Sequence, residues 1–247
     1  MLGIERLCGL ILQIKSKFTL APDCEITVEV NPTEHLFEDF KLMAAAGVNR
    51  ISIGLQSSNR DELKILSRRH TAEDFLRTVG DAKRAGINNI SADIMLGIPN
   101  QTNESLIKSI DFAIDAGVTH ISCYMLKIEP DTEFGRTDIT TLNLPDDDKT
   151  ADMYLMMSDY LESKGFEHYE ISNFALSSYR SKHNLKYWNQ EQYLGLGPAA
   201  HSFIGGKRFY FPRDYEAYMK GTDPCPDSSG GDAAETLMLG LRVDKGI

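Results

Sequence analysis

Basic residues, paired cysteines and long apolar runs are all scarce in this chain of 247 residues. Lys and Arg number 26 against 36 Asp and Glu, which gives a net charge of -10 at pH 7. Proteins that bind a phosphate backbone need a basic face, so nucleic acid is not expected as the main partner. The run "MLGIERLCGLILQI" is interrupted by charge before about 20 apolar residues accumulate, so no membrane span is predicted.

The cysteines exclude a disulfide-built domain. Cys8, Cys24, Cys123 and Cys225 are far apart and form neither a CxxC pair nor a dense framework. The start of the chain also lacks a basic segment followed by an apolar stretch and a small-residue cleavage site. These patterns together predict a reducing, cytoplasmic setting.

An internal repeat is the strongest feature that is present. The segments "AAAGVNRISIGLQ", "KRAGINNISADIML" and "IDAGVTHISCYML" each end a helical pattern with Ala-Gly and then enter an Ile-Ser strand. We expect Gly47, Gly86 and Gly117 to adopt the left-handed conformation that ends a helix, because glycine has no Cβ to clash there. Repeated helix-then-strand units predict an α/β fold with a parallel sheet.

The strands and helices of that sheet follow from the same segments. "ITVEV", "ISIGL", "ISADIML" and "HISCYML" are rich in β-branched and apolar residues, which we expect on both faces of the sheet. Thr71 and Thr102 are predicted N-caps, and only Thr71, through Asp74, is expected to approach a capping box. A complete eight-fold barrel takes about 250 residues, yet the pattern changes near residue 170. The prediction is therefore a partial barrel, an open sheet or a fragment of something longer, with helices outside the sheet.

Polar residues stand near the carboxyl ends of the predicted strands, where parallel α/β folds collect their chemistry. They are Glu29, Gln56, Asp93 and Lys127 with Glu129. Asp93 lies among apolar neighbours in "NISADIMLGIP", where an unpaired charge is costly, so it needs a partner. That partner is a ligand hydroxyl, an amine or an arginine in one interpretation, and a structural salt bridge or helix cap in the other.

Two further features keep their alternatives. The amide of Gln56 either contacts a ligand or caps the next helix, for which Asn59 is the better candidate. Arg68 and Arg69 either pair with a ligand carboxylate through a bidentate fork or lie solvated at a helix end.

The hexapeptide "HNLKYW" contains His183, Tyr187 and Trp188, the single tryptophan of the chain. The hexapeptide is compatible with three roles: packing in the core, binding a metal ion or binding a flat aromatic ligand. A lone histidine has no second metal ligand within the motif, which weakens the metal site. Burial is the default for the two large aromatic side chains.

Several blocks, taken in order, resemble one family over nearly the whole chain. They are "VEVNP", "RISIGLQSSNRDELKILSRRH", "ADIMLGIPNQT", "HISCYMLKIEPDTEFGR", "DMYLMMSDYLESKGFEHYEISNFA", "HNLKYW" and "YLGLGPAAHS". The chain resembles the oxygen-independent coproporphyrinogen III oxidases and their relatives within the radical S-adenosylmethionine (SAM) family. The "HNxxYW" block is typical of its HemW-type haem-chaperone branch.

The resemblance implies a partial parallel (β/α)6 barrel, TIM-like, with a small C-terminal extension, and a site for a [4Fe-4S] cluster and SAM at the barrel mouth. It implies residues 1–172 as the barrel core and residues 173–247 as the HNxxYW segment and the start of a C-terminal domain. By position, the resemblance assigns SAM contacts to Glu29, Gln56, Arg68 and Asp93. It adds Lys127 and His201 to this site, although the residue types at these two positions vary in the family. It also implies that His183 contacts haem.

The chain departs from the family at the cluster. Family members carry a CxxxCxxC loop and a Gly-Gly-Thr-Pro run, and neither occurs here. Three thiolates of one loop hold three of the four irons, so this chain is not expected to assemble the cluster or to cleave SAM, and no catalytic or metal-ligating residue is predicted. The expectation is the central part of a longer protein, cut at both ends, with a degenerate family member as the alternative. The missing first strand is expected to leave a sheet edge open, which favours homodimer contacts or loss of order nearby.

Two functions of the longer protein follow from the resemblance. In the first, a chaperone binds haem and delivers it to haem proteins. In the second, an oxidase decarboxylates porphyrinogen propionates in haem biosynthesis. The HNxxYW block favours the chaperone, and a scaffold without activity in the present chain is the third possibility.

Overall fold

The computed structural model describes residues 3–33, 36–129, 133–138 and 141–246. The chain divides into two compact units, the first formed by Met1–His168 with Ser172–Arg180 and the second by Tyr169–Ile171 with Ser181–Ile247. The predicted domain division at residue 172 stays a prediction. No helix in the described ranges is long and apolar enough to cross a bilayer.

Helices and strands alternate through most of the first unit. Its elements are α1 Ile4–Lys17, β1 Thr27–Val30, α2 Phe37–Ala46, β2 Arg50–Gln56, α3 Arg60–Ile65, α4 Ala72–Arg84, β3 Asn89–Leu96, α5 Asn103–Asp115, β4 His120–Met125, α6 Glu133–Arg136, α7 Asp147–Ser163, β5 Glu167–Glu170 (whose last two residues belong to the second unit) and β6 Asn173–Ala175.

The strands form one sheet in the order β1-β2-β3-β4-β6-β5. Neighbours among β1 to β4 are parallel, as predicted, whereas β6 runs antiparallel to β4. Within the described residues β1 and β5 stand at opposite ends of the strand order, so the sheet is open and the barrel is partial. α4 packs against β2, and both α5 and α7 pack against β3.

The two faces of the parallel strands differ completely, and the expectation of apolar residues on both faces is wrong. One face carries Ile51, Ile53 and Leu55 of β2, each fully buried in the core with the equivalent residues of β3 and β4. Alternate residues point the other way because side chains in a strand alternate between faces. That second face is mainly polar and includes Arg50, Ser52, Ser91, Asp93, His120 and Ser122.

Glycines and caps set the helix ends that feed these strands. Gly47, Gly86 and Gly117 have φ of 104°, 90° and 77°, which confirms the left-handed ends predicted from the repeat. Thr71 forms the predicted capping box with Asp74. Thr102 forms one as well, contrary to the expectation, because the hydroxyl of Ser105 accepts from the Thr102 backbone as a carboxylate would.

The second unit is smaller and mostly irregular. Its elements are α8 Lys182–Trp188, β7 His201–Ile204, β8 Lys207–Tyr210, α9 Tyr215–Met219, β9 Cys225–Ser229 and α10 Ala233–Gly240, with β7, β8 and β9 in one antiparallel sheet. Gly205 and Gly206, both with positive φ, form the turn of the hairpin between β7 and β8.

Adjacent residues of α4 test the assignment of the core. Phe75 is fully buried, whereas its neighbour Leu76 is 42% exposed. We expect Phe75→Ala to lower the free energy of unfolding by about 3–5 kcal/mol, because it removes buried contacts and leaves a cavity. Urea unfolding measures the change, and Leu76→Ala is the matched control with an expected loss below about 1 kcal/mol. Equal losses would contradict the assigned packing of α4.

Candidate functional site

The polar face of the sheet collects side chains from several strands of the first unit. Glu29 of β1 lies in register with Ser52 of β2, and Asp93 of β3 lies in register with Ser122 of β4. The parallel arrangement therefore brings residues that are far apart in sequence onto neighbouring positions of one surface.

Asp93 is a largely buried carboxylate on this face. The hydroxyl of Ser52 donates a hydrogen bond of 3.0 Å to its Oδ1. Burial raises the pKa of Asp93 to about 6; the carboxylate of Glu29 acts in the same direction, while hydrogen bonds from Ser52 and Ser122 and the charge of Arg50 oppose it. The group is thus mainly ionised at neutral pH, within a setting that favours a further hydrogen-bond donor.

Gln56 ends β2 in an unusual conformation. Its φ is 65°, in the left-handed region, and the pairing of β2 with β3 is irregular between Ile53 and Gln56. Bulges of this kind re-aim side chains and are frequent near binding sites. The side chain is buried, and its Oε1 accepts a hydrogen bond of 2.7 Å from the hydroxyl of Tyr124 on β4.

Tyr124 connects Gln56 to two further candidates. Burial raises the pKa of the Tyr124 hydroxyl, the carboxylate of Asp93 raises it further, and the charge of Arg68 acts against that rise. Arg68, partly buried after α3, therefore lies within electrostatic reach of the same group. We call the set Glu29, Ser52, Gln56, Arg68, Asp93 and Tyr124 the strand-end cluster.

Four of the six predicted SAM residues belong to the strand-end cluster, and two do not. Lys127 follows β4 with its side chain 82% exposed, and its Nζ lies 2.7 Å from a carboxylate oxygen of Glu129. His201 belongs to the second unit. Its exposed ring stacks on Tyr210 at 5.1 Å between centroids, and its Nδ1 lies 3.6 Å from the carboxylate of Asp227.

The sequence did not identify the buried polar residues that lie earlier along the same strands, on the same face as the cluster. Arg50 is 4% exposed, and its Nε has no hydrogen-bond partner within the described chain. His120 is fully buried, with its Nδ1 2.7 Å from the hydroxyl of Ser91, and burial holds its pKa well below the usual range. The signal was available as polar residues at alternate positions of "RISIGLQ", "ISADIM" and "HISCYM".

The HNLKYW segment forms α8 in the second unit. The Nε2 of His183 lies 2.9 Å from the hydroxyl of Tyr187, one helical turn later, and the His183 ring is exposed. Trp188 is partly buried, with the guanidinium of Arg242 4.6 Å from its ring centre. One turn of helix therefore presents an imidazole outward while the tryptophan packs inward.

The described residues do not fit an iron-sulfur cluster. All four cysteines are free, and Cys123, on the apolar face, is buried so that the pKa of its thiol is raised. Across the described ranges there is no group of three or more His, Cys, Asp or Glu residues that could hold a metal ion. A [4Fe-4S] cluster needs clustered thiolates, which this part of the chain does not supply.

Residues 2–113 match the model of the radical SAM superfamily. The chain is 34% identical over 253 residues to the haem chaperone HemW of Lactococcus lactis, covering 100% of this chain and 67% of that protein. It is 41% identical over 232 residues to HemW of Bacillus subtilis, covering 90% and 61%. The chain therefore belongs to the HemW family of radical SAM proteins.

The chain is also similar to a mammalian protein in sequence and to a solved structure in fold. Mouse radical S-adenosyl methionine domain-containing protein 1, mitochondrial, is 42% identical over 245 residues, covering 92% of this chain and 55% of that protein. The solved structure of coproporphyrinogen III oxidase (HemN) from Escherichia coli superposes with a TM-score of 0.78 at 19% identity, covering 93% of this chain and 57% of that one. That likeness shows the fold. The chain spans about two thirds or less of the length of the relatives described here.

The raised pKa of Asp93 predicts a pH-dependent stability. Since the folded-state pKa of about 6 lies above the ordinary aspartate pKa of 3.8, protonation of Asp93 favours folding at low pH, and this contribution is lost as pH rises through about 6. Asp93→Asn cannot ionise, so without ligand it should be more stable than wild type by up to about 3 kcal/mol at pH 7.5. The difference should shrink toward pH 4.

Urea unfolding across this pH range measures the effect. Asp61→Asn is the matched control, because it makes the same substitution at a side chain that is 83% exposed. A stability difference for Asp93→Asn that does not vary with pH would show that Asp93 is not the buried ionisable group described here.

Proposed function

We propose that this chain is part of a radical SAM haem chaperone, binding SAM at the strand-end cluster and haem through the HNLKYW segment. The observation that carries the SAM site is the convergence of Gln56, Arg68 and Asp93 around Tyr124, with Glu29 within electrostatic reach of Asp93. Membership of the HemW family supports the haem-chaperone role, since its members named above are haem chaperones. The oxidase alternative has only a likeness of fold in its favour.

The chemistry of the strand-end cluster suits the polar groups of SAM. The carboxylates of Glu29 and Asp93 are acceptors for the ribose hydroxyls or the amino group. The guanidinium of Arg68 suits the methionine carboxylate, because its fork can donate two parallel hydrogen bonds. Gln56 supplies an amide within the same surface, so the cluster holds a partner for each end of a zwitterionic ligand.

The family also implies a [4Fe-4S] cluster, which would bind SAM and supply its reductive cleavage. Because the described residues do not fit that group, no radical step is assigned to them. The role proposed for these residues is to bind and orient SAM.

Haem binding is proposed for the exposed imidazole of His183, with Trp188 anchoring α8. A carrier must release haem to a client haem protein, and an exposed ligand on a short helix suits transfer better than an enclosed one. The free thiols suit a reducing compartment such as the cytoplasm. The acidic net charge does not suit nucleic acid as a partner. The edge strand β1 is a candidate surface for a homodimer.

Asp93→Asn tests the SAM site. Because this variant is expected to fold at least as well as wild type at pH 7.5, a loss of binding is not explained by unfolding. We expect the full chain to bind SAM in equilibrium dialysis and Asp93→Asn to bind at least 10-fold more weakly, since a charge-assisted hydrogen bond contributes about 1.5–3 kcal/mol. Asp61→Asn should bind as wild type does. Failure of the wild-type chain to bind millimolar SAM would remove the proposed site.

His183→Ala tests the haem site. Titration of the wild-type chain with haem should shift the Soret band, and His183→Ala should weaken or abolish the shift because it removes the imidazole ligand. Lys182→Ala is the matched control, since it changes the preceding exposed residue of α8 and keeps the imidazole. Identical spectra for wild type and His183→Ala would remove His183 from the haem site.

A further inference from the structure

We propose that Tyr124 is a positioning residue for SAM, whose hydroxyl holds the amide of Gln56 so that the amide N–H group faces the ligand. The inference rests on the proposed SAM site and assigns a role to a residue that neither the motifs nor the family resemblance indicated. Three features of the structure carry it: the backbone of Gln56, its hydrogen bond to Tyr124, and the space above Gly54.

The backbone of Gln56 is held in a conformation that a glutamine rarely adopts. Its φ of 65° follows the irregular pairing of β2 with β3, and the residue is only 3% exposed. A left-handed conformation costs a non-glycine residue on the order of 1 kcal/mol, so surrounding contacts must hold it. The conformation turns the side chain onto the polar face at the end of the strand, where β4 supplies the contact.

Tyr124 supplies that contact through a directional bond. Its hydroxyl lies 2.7 Å from the Oε1 of Gln56, and 68 residues separate the two in sequence. Burial and the carboxylate of Asp93 raise the pKa of Tyr124, so the hydroxyl stays protonated and remains a donor. Because this hydroxyl donates to the Oε1 of Gln56, the oxygen of the amide, not its nitrogen, faces β4.

The opposite end of the amide lies over Gly54. A Cβ atom on Gly54 would stand 3.0 Å from the Nε2 of Gln56 and 3.6 Å from the Oδ1 of Asn31. The missing side chain thus leaves the nitrogen room beside β1, where Glu29 also lies. With its oxygen engaged by Tyr124, the amide presents an N–H donor, so the matching ligand group is an acceptor such as a carboxylate, ribose or adenine atom of SAM.

Tyr124→Phe removes the hydroxyl and keeps the ring. The Gln56 amide then loses its fixed orientation, and we expect SAM to bind roughly 3- to 10-fold more weakly in equilibrium dialysis, the range of one neutral hydrogen bond. The decisive comparison uses Gln56→Ala and the double variant. If Tyr124 acts through Gln56, its substitution has no further effect once the amide is gone.

The outcomes separate the inference from the proposed SAM site. Wild-type affinity in Tyr124→Phe, or a loss that persists undiminished in the Gln56→Ala background, would overturn the positioning role while SAM binding itself stands. Absence of SAM binding by the wild-type chain would overturn both. Thermal unfolding of each variant checks that the variant is folded at the temperature of the binding assay.

A pair of glycine substitutions tests the same geometry without touching Tyr124. Gly54→Ala places a methyl group at the 3.0 Å position and should displace the amide of Gln56, which weakens SAM binding. Gly80→Ala in α4 adds the same methyl group where nothing lies within 4 Å, so it should bind SAM as wild type does. Unchanged affinity in Gly54→Ala would show that the nitrogen of Gln56 does not face the ligand.

Discussion

Burial of one face of the parallel strands is the constraint on which the rest of this structure depends. Ile51, Ile53 and Leu55 are withdrawn entirely from solvent, and a shift of one residue in register would exchange them for the polar set. Since the apolar face is specified this strongly, the opposite face is specified with it. The site residues are therefore positioned by hydrophobic packing on the opposite face of the same strands.

The polar face departs from low-energy choices at two positions. Asp93 keeps a carboxylate where burial raises its pKa, and Gln56 keeps a left-handed backbone without being glycine. Gln56 ends β2, where the pairing with β3 is irregular, and Asp93 lies within β3, which pairs regularly with β4. Unfavourable groups and strained backbone that are confined to a few positions are typical of binding sites, because the rest of the fold stabilises the structure enough to tolerate them.

The two units have different parts in the proposed function. The first resembles radical SAM proteins in fold and carries the polar cluster, whereas the second carries the segment typical of the haem-chaperone branch. The thiolates of an iron-sulfur cluster are not among the described residues. The role proposed for the side chains that are present is to bind SAM and haem.

The sequence by itself determined the alternation of helices and strands through β4, the left-handed glycines that end α2, α4 and α5, and a group of strand-end polar residues that includes Glu29, Gln56 and Asp93. These features are local, since periodicity, glycine and capping act within a few residues. Only the tertiary structure decided which polar residues meet. Ser52 reaches Asp93 across 41 residues of sequence, and Tyr124 reaches Gln56 across 68. Such pairs depend on strand register and on a bulge, and both arise from packing of the whole sheet, so no short pattern in the chain contains them.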